Sequence, residues 1–190
     1  GIVNNRISAL LFQYLEAEGV ATHFERLIDE RHMLVKQVEI VPVEVVVRNT
    51  VAGSLSQRLG LEEGTPLPGA VVEFYYKNDE LHDPMVNEDH IRVLNLATPE
   101  ELEVMKETAL RVNRLLVPLF ARAGIDIIDF KLEFGRYQGR IILADEISPD
   151  TCRLWDSNTG VKLDKDRFRR DLGGEPEAYQ EVLRRLEGVI

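Results

Sequence analysis

Hydrophobic residues recur at two spacings along the chain, and each spacing predicts one kind of secondary structure. Near the N-terminus the spacing is that of a helix with one apolar face, formed by Ile7, Leu10, Leu11, Tyr14 and Leu15. A helix brings residues three and four positions apart onto the same side. We expect Asn4 or Asn5 to cap the start of this helix and Gly19 to end it.

Between residues 22 and 48 the pattern changes to the alternation of β-strands. A turn is predicted at residues 29–31, and the nearly continuous apolar run at 40–48 predicts a central, buried strand. Proline cannot donate a hydrogen bond to a neighbouring strand. We therefore predict a bend, or a hinge between two lobes, near Val41 and Pro42.

Two further helices are predicted from residues typical of helix ends. Ser54 is expected to cap a short helix that ends at Gly60. Thr98 and Pro99 begin a capping box with proline at the first helical position, which predicts the start of a long helix. Pro118 is expected to kink or end that helix. Together the order of helices and strands predicts an α+β fold.

A predicted β-hairpin carries the clearest charge pattern in the chain. Its strands are residues 125–134 and 140–147, which a glycine-flanked turn joins. Strand side chains alternate between faces, so one face is apolar and the other is charged. The charged face of the first strand is formed by Asp129, Lys131 and Glu133.

The register of this hairpin depends on the length of its turn. A turn of three residues places Asp129 opposite Asp145, and like charges in that position destabilise a sheet unless a cation lies between them. Magnesium binds one or two carboxylates together with phosphate oxygens and water. The alternative is that this face lies in solvent, with Lys131 and Arg140 neutralising the acids.

Two other groups of residues are candidates for binding an anion. Arg48 ends the buried strand and Ser54 starts a helix, where free N–H groups and an arginine favour a phosphate or carboxylate. The alternative is that Ser54 only caps its helix and Arg48 pairs with an acid such as Glu44. Arg153, which follows a turn and precedes Trp155, is the second candidate. The alternative is that this segment is only a surface loop that the tryptophan anchors.

Composition limits the classes of function. The chain has 190 residues, is 44% hydrophobic and 29% charged, and suits one domain or two small lobes. Its formal net charge of -10 argues against binding nucleic acid or an anionic membrane surface. Cys152 is the only cysteine, which excludes an intramolecular disulfide and fits a reducing cytosol. No apolar run is long enough to span a membrane, and the histidines lack metal-site spacing.

Residues 40–54 and 127–135, with the sequences IVPVEVVVRNTVAGS and IIDFKLEFG, resemble the signature segments of the SAICAR synthetase family. Four other segments extend the resemblance over nearly the whole chain: GIVNNRISALLF, FYYKNDELHDPMVNEDHI, ADEISPDTCRLWD and DKDRFRRDLGG. The resemblance implies an ATP-dependent ligase of purine biosynthesis. Such an enzyme joins L-aspartate to carboxyaminoimidazole ribotide (CAIR), giving SAICAR, ADP and phosphate, through an acyl phosphate.

The resemblance also implies a two-lobed fold similar to ATP-grasp enzymes and protein kinases. Residues 1–42 would form the remainder of the small nucleotide-binding lobe, and residues 43–190 the larger α+β lobe with the ribotide and magnesium site. Family members have an N-terminal loop whose lysines cover the ATP phosphates, and we expect this part of the small lobe to be missing from the chain. A cytoplasmic homodimer that uses ATP and Mg²⁺ is expected.

The site residues that the resemblance implies fall into groups. Catalysis and contact with the nucleotide phosphates are expected of Lys131, Glu133 and Asp145, of which Glu133 and Asp145 would bind the metal. The adenine is expected beside residues 36–44, which adds Lys36 and Glu44 to the ATP site. The ribotide would be held by Arg48, Ser54, Asp129 and Arg153. A loop near the site contributes Lys77, His82 and Asp83, whose roles the resemblance does not define.

Two other functions fit the same pattern of residues. A small-molecule kinase on this scaffold would use ATP and magnesium, release a phosphorylated product and ignore aspartate. A group of residues that suits a ribotide, Arg48, Ser54 and Arg153, argues against a kinase. A protein that has lost the phosphate-covering loop would bind ligands without turnover.

Overall fold

The computed structural model describes residues 1–190 and contains six α-helices and nine β-strands. The helices are α1 Ile2–Ala17, α2 Ser54–Leu59, α3 Glu88–Val93, α4 Pro99–Arg122, α5 Asp166–Arg169 and α6 Glu175–Glu187. The strands are β1 Phe24–Leu27, β2 Met33–Val35, β3 Glu39–Ile40, β4 Val43–Thr50, β5 Pro66–Tyr76, β6 Met85–Val86, β7 Ile125–Tyr137, β8 Arg140–Ala144 and β9 Cys152–Asp156. The α+β class predicted from the order of elements is confirmed.

Strand β7 is the centre of the fold because it pairs with four other strands. Its N-terminal half lies between β4 and β9, and its C-terminal half lies between β3 and β8, all antiparallel. Beyond β4 the sheet continues through β5 to β6. Strands β1 and β2 form a separate antiparallel pair with the predicted turn between them. The prediction that the 40–48 run is a central strand is confirmed by the position of β4 between β5 and β7.

The chain does bend at Pro42, between β3 and β4. Both strands pair with β7, and the backbone N–H of Val41 donates to Phe134 O at 2.9 Å. Val41 is fully buried. The bend therefore lies within the packed structure, and the division into lobes at position 42 stays a prediction.

The hairpin register differs from the prediction. Tyr137 pairs with Arg140, so the turn has two central residues, Gln138 and Gly139, both with positive φ (48° and 74°). Such a turn matches the natural twist of the two strands. The shorter turn moves Asp145 away from Asp129, and strand β9 instead places Arg153 opposite Asp129. The predicted pairing of two aspartates is wrong.

The apolar faces predicted from the sequence form one core. Helix α4 packs on β7 and β4, and α1 packs on α6 and β1. Leu116 of α4 and Phe130 of β7 are among its fully enclosed side chains. Helix α4 continues through Pro118 to Arg122, so the alternative that Pro118 ends the helix is wrong.

The predicted helix ends are confirmed in part. Thr98 accepts the N–H of Glu101 in a capping box, as predicted, and Gly60 ends α2 in the left-handed conformation. Asn4 and Asn5 do not cap α1, because the helix begins at Ile2 and both residues lie inside it. Ser54 is the first helical residue of α2, and no side chain caps that helix. Its hydroxyl is consequently available for other contacts.

Candidate active site

A cavity of about 300 Å³ opens where β4, β7 and β9 lie side by side. All four residues predicted to hold the ribotide line it: Arg48, Ser54, Asp129 and Arg153. Glu44 and Lys131 line the same cavity. Residues from four separate parts of the sequence therefore meet in one pocket.

The strand registers explain why three charged residues meet at the centre of this pocket. Arg48 of β4 pairs with Asp129 of β7, and Asp129 pairs on its other side with Arg153 of β9. Arg48 Nη1 donates to Asp129 Oδ2 at 3.0 Å, and Arg153 Nη1 donates to the same oxygen at 2.9 Å. One buried carboxylate thus holds two guanidinium groups that face the cavity.

The alternative for Arg48 is met in part, because Arg48 does pair with acids, whereas the alternative that Ser54 only caps its helix is wrong. Arg48 pairs with Glu73 and Asp129, not with Glu44, and its Nη2 donates to Ser54 Oγ at 3.0 Å. Burial disfavours the charged guanidinium, but the carboxylates of Glu73 and Asp129 outweigh it and raise the pKa of Arg48. Arg153 is affected in the same way by Asp129 and Asp166, which raise its pKa against burial.

Sequence reasoning missed two basic residues of the pocket, Lys165 and Arg169. Burial lowers the pKa of Lys165, and the nearby charge of Arg153 lowers it further. Both missed residues belong to the basic run at 165–170, which could have indicated an anion site. They did not stand out because their distance from Arg48 along the chain is large, and only the fold brings them together.

A second cluster of charges surrounds the buried carboxylate of Glu133, farther along β7. Lys77 Nζ donates to Glu133 Oε2 at 2.7 Å, which places one of the less defined loop residues at this site. Lys131 Nζ donates to Glu133 Oε1 at 3.3 Å and to Glu44 Oε1 at 2.9 Å. Lys131 therefore lies between the two clusters, since it also lines the ribotide pocket.

Asp145 lies next to this cluster, directly after β8. Its φ is 58°, a left-handed conformation that side chains rarely adopt, and such strain is common in functional sites. Burial raises the pKa of Asp145, and the charge of Glu133 raises it further. The two carboxylates are thus close enough to repel each other, as a pair that binds a cation would be.

The structure does not bring every predicted residue to these clusters. His82 and Asp83 both have positive φ in the loop after a short 3₁₀ turn, and Asp83 accepts the backbone N–H of Asn78 at 2.8 Å. Neither forms a hydrogen bond or an ion pair with Glu133, whose partners are Lys77 and Lys131. Lys36 lies in a separate cavity of about 460 Å³, where its Nζ pairs with Glu25 at 3.1 Å.

No group of three or more histidine, cysteine, aspartate or glutamate side chains forms a ready metal site. The pair Glu133 and Asp145 does fit Mg²⁺, because this ion characteristically takes only one or two carboxylates and completes its shell with phosphate oxygens and water. None of the helices is long and apolar enough to cross a membrane.

Comparison with known proteins identifies the family. The sequence profile described as SAICAR synthetase matches residues 1–186. The chain belongs to the SAICAR synthetase family. A phosphoribosylaminoimidazole-succinocarboxamide synthase from Parvibaculum lavamentivorans is 60% identical over 194 residues, covering 100% of this chain and 76% of that protein. The family predicted from the signature segments is thereby confirmed.

Solved SAICAR synthetases also share the fold. The crystal structure of the Ehrlichia chaffeensis synthase matches with a TM-score of 0.96 and 49% identity, over 100% of this chain and 81% of that one. A SAICAR synthetase in complex with ADP matches with a TM-score of 0.95 and 50% identity, over 98% of this chain and 80% of that one. The predicted enzyme class, an ATP-dependent ligase of purine biosynthesis, is confirmed by these relatives.

Proposed function

We propose that this SAICAR synthetase joins CAIR to L-aspartate through an acyl phosphate. A carboxylate oxygen of the ribotide attacks the γ-phosphorus of ATP, and the bond from that phosphorus to the bridging oxygen of ADP breaks. The aspartate amine then attacks the carboxyl carbon and loses a proton. The bond between that carbon and the phosphate oxygen breaks, so phosphate leaves with one oxygen of the original carboxylate.

The observation that carries this proposal is the meeting of Arg48, Asp129 and Arg153 in one pocket. The whole chain has a net charge of -10, yet Lys165 and Arg169 add two more cations to this cavity. Arginine binds phosphate and carboxylate with two parallel hydrogen bonds. The cavity thus suits a ribotide phosphate, with Ser54 as a further partner and Asp129 as an acceptor for a sugar hydroxyl or base nitrogen.

The cluster around Glu133 would hold the nucleotide phosphates. Glu133 and Asp145 would bind Mg²⁺, which when bound neutralises phosphate charge and polarises the phosphorus for attack. Lys131 lies between this cluster and the ribotide pocket, where it would stabilise the negative charge that develops during transfer. Lys77 would leave Glu133 when the metal arrives and contact a phosphate instead.

The adenine would lie against residues 36–44, with Lys36 and Glu44 at the ends of this segment. The similar SAICAR synthetase that was solved with ADP supports a nucleotide site in this fold. His82 and Asp83 would approach the substrates through a movement of their loop. We further propose a cytoplasmic homodimer, as the family resemblance implies.

The experiment that tests this function measures ADP release from ATP, Mg²⁺ and CAIR, with and without L-aspartate. We expect aspartate-dependent ADP release together with the succinocarboxamide product. With ¹⁸O in the CAIR carboxylate, one labelled oxygen should appear in the released phosphate. Product without transferred label would contradict the acyl phosphate, and a stable phosphorylated ribotide that forms without aspartate would indicate a kinase.

A further inference from the structure

Two buried carboxylates hold the pocket arginines from outside the cavity. Glu73 Oε2 accepts a hydrogen bond from Nε of Arg48 at 2.7 Å, and Asp166 Oδ2 accepts one from Nε of Arg153 at 2.9 Å. Neither acid lines the cavity. Glu73 belongs to β5 and Asp166 to α5, so two unrelated elements supply the same contact on opposite sides of the pocket.

This contact completes the fixation of each guanidinium. Nη1 of both arginines already donates to Asp129, at 3.0 Å from Arg48 and 2.9 Å from Arg153. A planar guanidinium that is held at Nε and at Nη1 by separate carboxylates cannot rotate about its long axis. Its remaining N–H groups therefore keep one direction relative to Asp129.

The outer acids are themselves held in place. Glu73 also accepts hydrogen bonds from Arg58 Nη2 at 2.5 Å and from Tyr75 Oη at 2.8 Å. Asp166 Oδ2 also lies 3.8 Å from Nη2 of Arg170, and the backbone N–H of Asp166 donates to Asp164 Oδ1 at 2.8 Å. The side chains of Glu73 and Asp166 are only 8% and 4% exposed, so water competes little for these contacts.

Fold stability alone does not account for this arrangement. Burying charges requires each ion to lose its hydration, and apolar residues of similar volume often give an equally stable or more stable protein. A site that must bind a charged ligand benefits in another way, because groups that are already oriented lose less conformational freedom on binding.

We propose that Glu73 and Asp166 are positioning residues for the ribotide, each fixing one pocket arginine in the orientation that binds the ligand. The inference rests on the proposed function, which makes the ribotide the ligand of this cavity. Glu73 acts through Arg48, and Asp166 acts through Arg153. Neither acid touches the substrate.

The test uses the variants Glu73→Gln and Asp166→Asn, which keep the side-chain shape and remove the charge. CAIR and ADP are titrated separately into each folded variant by calorimetry. We expect each substitution to raise the Kd for CAIR about tenfold and to leave the Kd for ADP unchanged. Glu181→Gln is the matched control, because Glu181 accepts a hydrogen bond from Nε of Arg185 at 2.7 Å outside this cavity and should change neither constant.

A double-mutant cycle separates positioning from general damage. Arg48→Lys removes the Nε that Glu73 holds, so Glu73→Gln should have less than about a twofold further effect on CAIR binding in that background. Asp166→Asn should keep its full effect there, because it acts on the other arginine. If Glu73→Gln does not fold, Asp166→Asn and its cycle with Arg153→Lys provide the same test.

Three results would overturn the inference. The first is an unchanged Kd for CAIR in folded variants whose melting temperature has fallen, which would make both acids structural. The second is full additivity within the Glu73 and Arg48 cycle. The third is a wild-type protein that binds ADP but not CAIR, and this result alone would also contradict the proposed function.

Discussion

Gly53→Ala offers a sharp test of the pocket geometry, because Gly53 lies directly against Arg153. Its φ of 54° and ψ of -134° belong to a region that residues with a Cβ rarely adopt, at a cost of about 1–3 kcal/mol. An ideal Cβ there would lie 2.6 Å from Cζ of Arg153 and would also overlap Nη2. The guanidinium cannot move aside without leaving Asp129 and Asp166.

The backbone strain at Gly53 and the displacement of Arg153 together cause a substantial loss of stability. A hydrogen bond to a charged group contributes about 1.5–3 kcal/mol, so displacing Arg153 and straining the backbone should together destabilise by about 2.5–6 kcal/mol. For a chain of this size we expect the melting temperature in a thermal scan to fall on the order of 10 °C. The Kd for CAIR, measured by calorimetry below that temperature, should rise while the Kd for ADP stays unchanged.

Gly60→Ala is the matched control for Gly53→Ala. Gly60 also has a positive φ, 65°, but no atom lies within 4 Å of an ideal Cβ there. The substitution should therefore lower the stability of the folded protein only through the left-handed backbone, by about 1–2 kcal/mol. The Kd for CAIR should not change. Equal losses of stability in the two variants, with unchanged CAIR binding in both, would refute the argument that Arg153 is closely packed and fixed.

Three other expectations follow from the structure. Glu133→Gln should abolish magnesium-dependent nucleotide binding, whereas Arg48→Ala should chiefly weaken CAIR binding. Calorimetry would disprove the site assignment if both variants bound both ligands normally. Burial raises the pKa of Asp164 from 3.8 to about 6, so the native state binds its proton more tightly than the unfolded chain. That stabilisation is complete well below pH 3.8 and is lost as the pH rises through 6, so the destabilisation by Asp164→Asn should shrink by about 2.5 kcal/mol between pH 4 and pH 7 in urea titrations. Phe120→Ala should destabilise by about 3–5 kcal/mol, because Phe120 is fully buried; a loss below 1 kcal/mol would contradict the close packing of α4.

The sequence determined the elements and the family. Periodicity predicted α1 and the central strand β4, because local spacing decides which residues can share one face of a helix or strand. The capping box at Thr98 predicted the start of α4. The signature segments, which include Arg48 and Asp129, identified a SAICAR synthetase, and a further matching segment includes Arg153.

Only the tertiary structure decided which charges meet. The hairpin turn proved shorter than predicted, and a change of register alters every partner of a strand, so Asp129 faces Arg153 and not Asp145. Glu73 and Asp166 gave no signal in the sequence, because the arginines that they hold lie 25 and 13 residues away along the chain. Their function as partners of the pocket arginines arises only when β5 and α5 pack beside the ends of β4 and β9, and that packing depends on contacts between residues far apart in the chain.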